Sequence, residues 1–175
     1  RSLCDWSSDV CSSDLPHPGV NFYQFSPCER YLVTFASEAS TREEAAQAVK
    51  IWDVVSGQVR RGFQAKGAGR WPIFKWSAMG QYFARLVGPP VAESAATKLE
   101  VYETPSFGLL DKRSLNLPHC RDFEWSPSEP VLAYWVPEQD NNPARVVLLS
   151  MPGREELSGK MLFSVADIAM EWHPQ

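Results

Sequence analysis

A short aromatic motif recurs along the chain at intervals of about fifty residues. Its four copies are Phe25-Ser26-Pro27, Trp76-Ser77, Trp125-Ser126-Pro127 and Trp172-His173-Pro174. Their aromatic residues are 51, 49 and 47 positions apart. Repeats of this length indicate an array of similar supersecondary units that bury their apolar faces against one another. This repeat constrains the fold more strongly than any other feature of the sequence.

Runs rich in β-branched and aromatic residues follow each motif. The second strand-like run of each unit lies at residues 31–35, 82–87 and 131–136, and the third lies at 49–54, 99–103 and 145–149. A weaker fourth run is clearest at residues 58–63. In the first run Tyr23 and Phe25 alternate with Gln24, which is the period of a strand with one apolar face. We therefore expect the large rings to fill the space between neighbouring units.

Four strands per unit are typical of a β-propeller blade, and so is the Trp52-Asp53 dipeptide at the end of the third run. We predict an all-β fold: a β-propeller fragment of three four-stranded antiparallel blades plus the start of a fourth. Asp53 is expected to cap its turn and to bond neighbouring backbone or histidine. The predicted structural anchors of the repeat are Phe25, Trp52, Asp53, Trp76, Trp125 and Trp172.

The first fifteen residues do not share this pattern. They hold two near-identical strings, Ser7 to Val10 and Ser12 to Leu15, and they lack both an initiator Met and the segments of a signal peptide. We interpret residues 1–15 as a non-native or artefactual leader and residues 16–175 as a partial β-propeller domain. Three blades and the start of a fourth do not close a ring, so the chain is expected to be a fragment.

Charge and cysteine usage exclude several classes of protein. The chain has 17 Lys and Arg against 21 Asp and Glu, a net charge of −4, which excludes a strongly basic nucleic-acid-binding arm. No run approaches the roughly 18 apolar residues of a membrane-spanning helix, and no membrane partner is predicted. Cys4, Cys11, Cys28 and Cys120 form no Cys-x-x-Cys pair, so we interpret them as free thiols, although a disulfide stays open.

Motifs of catalysis are absent from the sequence. It has no nucleophile elbow, no His-Glu-x-x-His helix and no phosphate-binding Gly-Lys loop. The string from Gly67 begins like a dinucleotide loop, but Pro72 stands where the third glycine belongs. The histidines His17, His119 and His173 fall in or next to loops or turns of separate units and are interpreted as solvated or turn histidines. We predict no catalytic residue, no cofactor, no metal site and no enzymatic activity.

The connections between the second and third runs are long and polar in every unit, at residues 36–48, 88–98 and 137–144. Equivalent loops emerge on the same rim of a propeller, so this rim is the predicted binding face. Good helix formers follow Thr41, a candidate cap, but we expect a plain loop there. Two basic pairs, Arg60-Arg61 and Lys112-Arg113, are placed on outer strands. They are candidate contacts to a partner or to ribosomal RNA, beside their interpretation as solvated edge residues.

Longer strings resemble the b subunit of eukaryotic translation initiation factor 3, in order, from about residue 19 to residue 172. They include residues 25–35, 51–53, 60–63, 71–77, 101–112, 122–127, 134–138 and 143–146. The resemblance implies the central propeller of a non-enzymatic scaffold subunit that works in the cytoplasm on the small ribosomal subunit. In that family an RNA-recognition domain precedes the propeller, and a helical tail that holds the g and i subunits follows it. Residues 37–48 and 88–98 depart from the family strings, so no contact residue is carried over.

We therefore expect a scaffold that promotes assembly of the pre-initiation complex through contacts with the small (40S) ribosomal subunit and the a, g and i subunits of the factor. Contact with mRNA or rRNA would come mainly through the RNA-recognition domain. Two alternatives fit the blade pattern alone. One is a propeller that gates a prolyl-oligopeptidase-like serine peptidase, and the other is a generic Trp-Asp-repeat adaptor.

Overall fold

A computed structural model describes residues 15–38, 41–64, 71–88, 97–139, 141–165 and 167–173. Within these residues the chain forms three four-stranded antiparallel sheets, and in each sheet the strands lie side by side in sequence order. This meander is the topology of a propeller blade, which confirms the predicted fold class. The strands are β1 (Val20–Phe25), β2 (Tyr31–Ala36), β3 (Val49–Asp53) and β4 (Val59–Phe63) in blade 1; β5 (Lys75–Trp76), β6 (Tyr82–Val87), β7 (Lys98–Glu103) and β8 (Leu115–Asn116) in blade 2; and β9 (Asp122–Trp125), β10 (Val131–Val136), β11 (Ala144–Ser150) and β12 (Glu155–Leu162) in blade 3.

The strands of different blades vary most at the outer edge. The fourth strand has five residues in blade 1, two in blade 2 and eight in blade 3. The middle strands are regular, and pairs such as Phe83 with Tyr102 and Leu132 with Leu149 keep apolar side chains opposite each other. Cross-strand apolar pairs of this kind stabilise a sheet by up to about 1 kcal/mol each.

The first core lies between blades 1 and 2 and is built largely from aromatic rings. Phe74 and Phe83 meet edge to face, with their ring centroids 5.2 Å apart, and Phe63 of blade 1 meets Tyr102 of blade 2 at 5.1 Å. Edge-to-face pairs add about 0.5–1.5 kcal/mol to the free energy gained by burial alone. The second core lies between blades 2 and 3, and it holds Leu99, Phe123 and Leu132.

The aromatic anchors differ in burial according to the blade that carries them. Trp76 and Trp125 are each 7% exposed because each lies in a core between two blades. Phe25 is 49% exposed, since no blade among the described residues packs against its side of blade 1. Trp172 lies in residues 167–173, which form no strand and pair with no sheet. A first strand needs a partner strand to be stable, and the described residues supply none for Trp172.

The segment after Thr41 forms a short helix, α1 (Arg42–Ala46), so the expectation of a plain loop is wrong. The Thr41 hydroxyl accepts a hydrogen bond from the Glu44 backbone amide, and the Glu44 carboxylate accepts one from the Thr41 amide, each at 3.1 Å. This reciprocal capping box satisfies two amides that a loop would leave to water.

Candidate interaction surfaces

Asp53 ends β3 and organises the turn that leads into β4. One carboxylate oxygen accepts hydrogen bonds from the Ser56 amide at 3.0 Å and from the Ser56 hydroxyl at 3.2 Å. The other accepts from the Arg60 guanidinium at 2.9 Å. The Arg60 hydrogen bond is the main reason that the pKa of Asp53 falls to about 2, and the Ser56 amide adds to it. Asp53 thus acts in this blade as a turn cap, and the partners of its carboxylate among the described residues are backbone, serine and arginine rather than histidine.

The first basic pair, Arg60 and Arg61, makes its contacts within the chain. Arg60 is engaged by Asp53. Arg61 donates to the backbone carbonyl of Phe107 in blade 2, and its guanidinium lies 5.0 Å from the ring centre of Phe63 and 5.1 Å from that of Tyr102. A guanidinium between two rings gains cation–π attraction. Arg61 therefore joins blade 1 to blade 2.

The second basic pair lies outside any strand, so its predicted place on an outer strand is wrong. Lys112 is the last residue of a short 3-10 turn (Leu110–Lys112), and Arg113 follows it ahead of β8. Asp111 and Lys112 have φ values of 52° and 56°, which are incompatible with an extended strand. Both basic side chains are exposed and make no hydrogen bond or ion pair within the described residues. Of the four candidates, these two present free charges, and their contact to a partner stays a prediction.

Arg154 holds this turn from the side of blade 3, a role that the sequence did not indicate. Its side chain is 4% exposed and donates to the carbonyls of Leu110 and Arg113, the latter at 2.9 Å. The Asp111 carboxylate lies 3.8 Å from its Nε atom. Arg61 and Arg154 therefore bind backbone of the same stretch of blade 2 from the two neighbouring blades.

His17 lies in the loop before β1, next to a turn, and it is half-buried rather than solvated. Its Nδ1 atom lies 2.7 Å from the hydroxyl of Thr34, and the Trp52 indole donates to the same hydroxyl at 2.8 Å. Burial, with help from the nearby Lys50 charge, lowers the pKa of His17 below its ordinary value. A neutral His17 accepts the Thr34 proton at Nδ1, which completes a chain from Trp52 through Thr34 to His17.

Lys75 connects the inner strands of blades 2 and 3. Its ammonium group donates to the Asp122 carboxylate and to the Phe123 carbonyl, both at 2.8 Å, and also to Glu124. Burial by itself lowers the pKa of Lys75, but the bonds to Asp122 and Glu124 outweigh burial and raise it. The Trp125 indole donates to the Lys75 carbonyl at 2.9 Å, which ties the two strands a second time.

The described part of the chain offers little reactive chemistry. It holds no group of three or more His, Cys, Asp or Glu residues that could bind a metal ion. Cys28 and Cys120 are free thiols, and burial raises the pKa of Cys120 to about 12, so its reactive thiolate is scarce near neutral pH. No helix among these residues has the length and apolar character to cross a membrane. Cys4, Cys11 and residues 67–70 of the string that begins at Gly67 lie outside the described residues.

Comparison with known proteins identifies relatives of the chain. The chain is 47% identical over 156 residues to the b subunit of eukaryotic translation initiation factor 3 from Xenopus laevis, and the match covers 89% of this chain. The chain is a homologue of part of that b subunit. The resemblance inferred from residues 19–172 is thereby confirmed. The chain spans 21% of that relative's length. No protein-family model matches the chain.

Solved structures support the fold of this initiation factor 3 homologue. A crystal structure described as that of the eukaryotic initiation factor superposes with a TM-score of 0.69 and 24% identity, covering 90% of this chain and 38% of that one. The β-propeller domain of the Trilobed protease from Pyrococcus furiosus superposes with a TM-score of 0.53 at 8% identity, covering 83% of this chain and 43% of that one. At these identities both likenesses show the blade fold alone.

Proposed function

We propose that this chain is a scaffold part of translation initiation factor 3 that promotes assembly of the pre-initiation complex. The observation that carries the proposal is the 47% identity to a b subunit of the factor over 89% of the chain. Its proposed partners are the other subunits of the factor, including a, g and i, and the small ribosomal subunit in the cytoplasm. A non-enzymatic role agrees with relatives that are named as initiation factor subunits.

The contacts between blades support a mechanism of docking on a rigid body. Arg61, Lys75 and Arg154 each bind backbone of a neighbouring blade, and the aromatic core fills the space between blades 1 and 2. A rigid body loses little conformational entropy when several of its surfaces are bound together. Weak contacts presented on one such body then combine through a high effective concentration.

Complex assembly tests this proposal directly. A complete b subunit carrying this chain as its matching portion would be tagged, expressed in cells that lack their own copy, and purified at low and moderate salt. We expect the other initiation factor 3 subunits to co-purify and 40S particles to co-sediment. A protein that is folded by circular dichroism but retains neither partner would contradict the proposal. The peptidase-gating alternative has no specific observation in its favour, since the likeness to protease propellers shows the fold alone.

A further inference from the structure

A groove of about 310 Å³ lies where the loop from β10 to β11 meets the connection from β8 to β9. Val136, Pro143 and Met161 give it an apolar lining, and Pro118 contributes from the connection. The loop from β10 to β11 is the third of the long connections that the sequence marks as a binding rim. A groove of this size is at the small end of ligand sites and accommodates one or two side chains of an extended segment.

Arg145 supplies the charge of this groove. It lies on β11 in one cross-strand row, between Val136 on β10 and Met161 on β12, so an apolar side chain flanks it on each side. Arg145 is exposed, and it makes no hydrogen bond or ion pair with any residue that the structure describes. An unpaired guanidinium beside apolar surface is well suited to bind a carboxylate, because it can donate two parallel hydrogen bonds.

Further polar groups of the groove make no side-chain hydrogen bond within the described residues. Gln139 and Asn142 pair with each other through their backbones, at 3.0 and 2.7 Å, and their side-chain amides, which are not buried, are open to a ligand. The Nδ1 atom of His119 is buried and has no hydrogen-bond partner among these residues. Buried polar atoms normally have partners, so this atom favours a ligand with a polar group of its own.

The lining favours a peptide over a nucleic acid. No Phe, Tyr or Trp is among the described residues that line the groove, so a base would find no ring of those types on which to stack. The chain also carries a net charge of −4, which opposes binding of a polyanion. Side-chain amides suit a peptide backbone, and prolines give a lining that loses little entropy on binding.

The geometry points to this groove as a docking site for an extended peptide segment of a protein partner, in which an Asp or Glu side chain is flanked by aliphatic residues. The carboxylate pairs with Arg145, the aliphatic neighbours pack on Val136 and Met161, and the amides of Gln139 and Asn142 bond the peptide backbone. This inference rests on the proposed scaffold function, since it names one surface through which a partner is held.

Synthetic peptides test the site on the whole chain. The probes are short fluorescent peptides in which one Glu is flanked by Leu or Val, together with matched peptides that carry Gln in its place. We expect Glu peptides to bind roughly tenfold more tightly than Gln peptides, as one charge-assisted hydrogen bond implies. Arg145→Gln should abolish this preference. Arg42→Gln, the same change at an exposed arginine of blade 1, should leave it intact.

Met161→Ser separates the apolar from the charged contact. Met161 is 67% exposed, so the replacement leaves the core intact. It should weaken the binding of Glu peptides and of Gln peptides by the same factor, and so preserve the difference in affinity between them. Equal binding of Glu and Gln peptides by the unaltered chain, or a full Glu preference in Arg145→Gln, would overturn the inference. The inference would also be overturned if a single-stranded RNA probe displaced the peptides from the unaltered chain and failed to bind Arg145→Gln. Co-purification of the unaltered protein with its complex is measured separately, so a failure of the scaffold function is distinguishable from a failure of the groove.

Discussion

The four basic residues proposed as contacts divide into two kinds once their surroundings are known. Arg60 and Arg61 bind Asp53 and the Phe107 carbonyl, whereas the side chains of Lys112 and Arg113 donate to no described residue. The two basic pairs look alike in the sequence, because the hydrogen-bond acceptor that distinguishes Arg61, the Phe107 carbonyl, lies in the next blade, 46 positions away. Of the four, Lys112 and Arg113 can exchange their hydration water for a new partner without breaking a side-chain hydrogen bond or ion pair to a described residue.

This division predicts different outcomes for the two pairs in ribosome binding. In the complete protein, the double variant Lys112→Ala with Arg113→Ala should weaken 40S binding. If these residues bind ribosomal RNA, the slope of log affinity against log salt concentration should also fall by about one for each phosphate that is no longer bound. Arg60→Ala with Arg61→Ala should lower the free energy of unfolding and leave the salt dependence of binding unchanged. Sedimentation across a range of salt concentrations measures both. An unchanged salt slope for the Lys112 and Arg113 variant would remove RNA from the partners of this turn.

His17 gives the chain a pH-dependent contribution to stability. Because its pKa is lowered on folding from the ordinary 6.5, the unfolded chain binds a proton on His17 more readily than the folded chain. The free energy of unfolding should therefore fall as the pH drops from about 6.5 through the folded pKa. His17→Asn should remove this part of the dependence, and His173→Asn, at an exposed position, should retain it. Urea unfolding between about pH 5 and pH 8 measures the effect, and identical pH slopes for the two variants would contradict it.

At the scale of single elements, strands were predictable and the helix was not. The middle strands β2, β6 and β10 coincide with the apolar runs because successive residues on both faces of these strands are buried, and burial of that kind leaves a continuous apolar run in the sequence. Helix α1 buries no residue, so it has no such run. Its signals in the sequence are local: the good helix formers after Thr41, and the capping pair of Thr41 and Glu44, three positions apart.

The outer strands and the interblade contacts were the least predictable parts of the fold and of the candidate surfaces. Their lengths and bonds depend on which blade lies alongside, and no local pattern carries that information. Arg154 follows a Pro-Gly turn like many surface arginines, yet it is almost fully buried against blade 2. The sequence indicated the connection from β10 to β11 as part of a binding rim, but it did not indicate the groove around Arg145, since the lining comes from two separate connections and three strands.

Thr41→Ala tests whether the capping box alone maintains α1. Loss of the Thr41 hydroxyl should cost the helix about 1 kcal/mol, because the Glu44 amide loses its acceptor. The global free energy of unfolding should hardly change, since α1 contributes no residue to the core. Hydrogen exchange at the amides of Glu44 and Ala45 should speed up in Thr41→Ala and stay slow in Thr41→Ser, which keeps the hydroxyl. Unchanged exchange in Thr41→Ala would show that the surrounding loop holds the helix.

At the scale of the whole molecule, the two junctions between blades differ. Aromatic packing dominates the junction of blades 1 and 2, and charged contacts reinforce the junction of blades 2 and 3. Blades 1 and 2 share a core of Phe63, Phe74, Phe83 and Tyr102. Blades 2 and 3 share a more aliphatic core, and at the inner strands they depend on Lys75 and its acidic partners. Because blades contact only their neighbours, each junction makes an approximately independent contribution to the stability of the array.

Lys75→Met should therefore loosen one junction and spare the other. It leaves Asp122 and Glu124 without their cation and the Phe123 carbonyl without its donor, at a cost of about 1–2 kcal/mol, since partly exposed charges are screened by water. Lys98→Met, at an exposed lysine of the same blade, is the matched control and should cost little. The rate of amide hydrogen exchange should rise in β10 of blade 3 and remain low in β2 of blade 1. An equal rise in both strands would mean that the three blades unfold as one unit, so that the junction between blades 2 and 3 could not be weakened on its own.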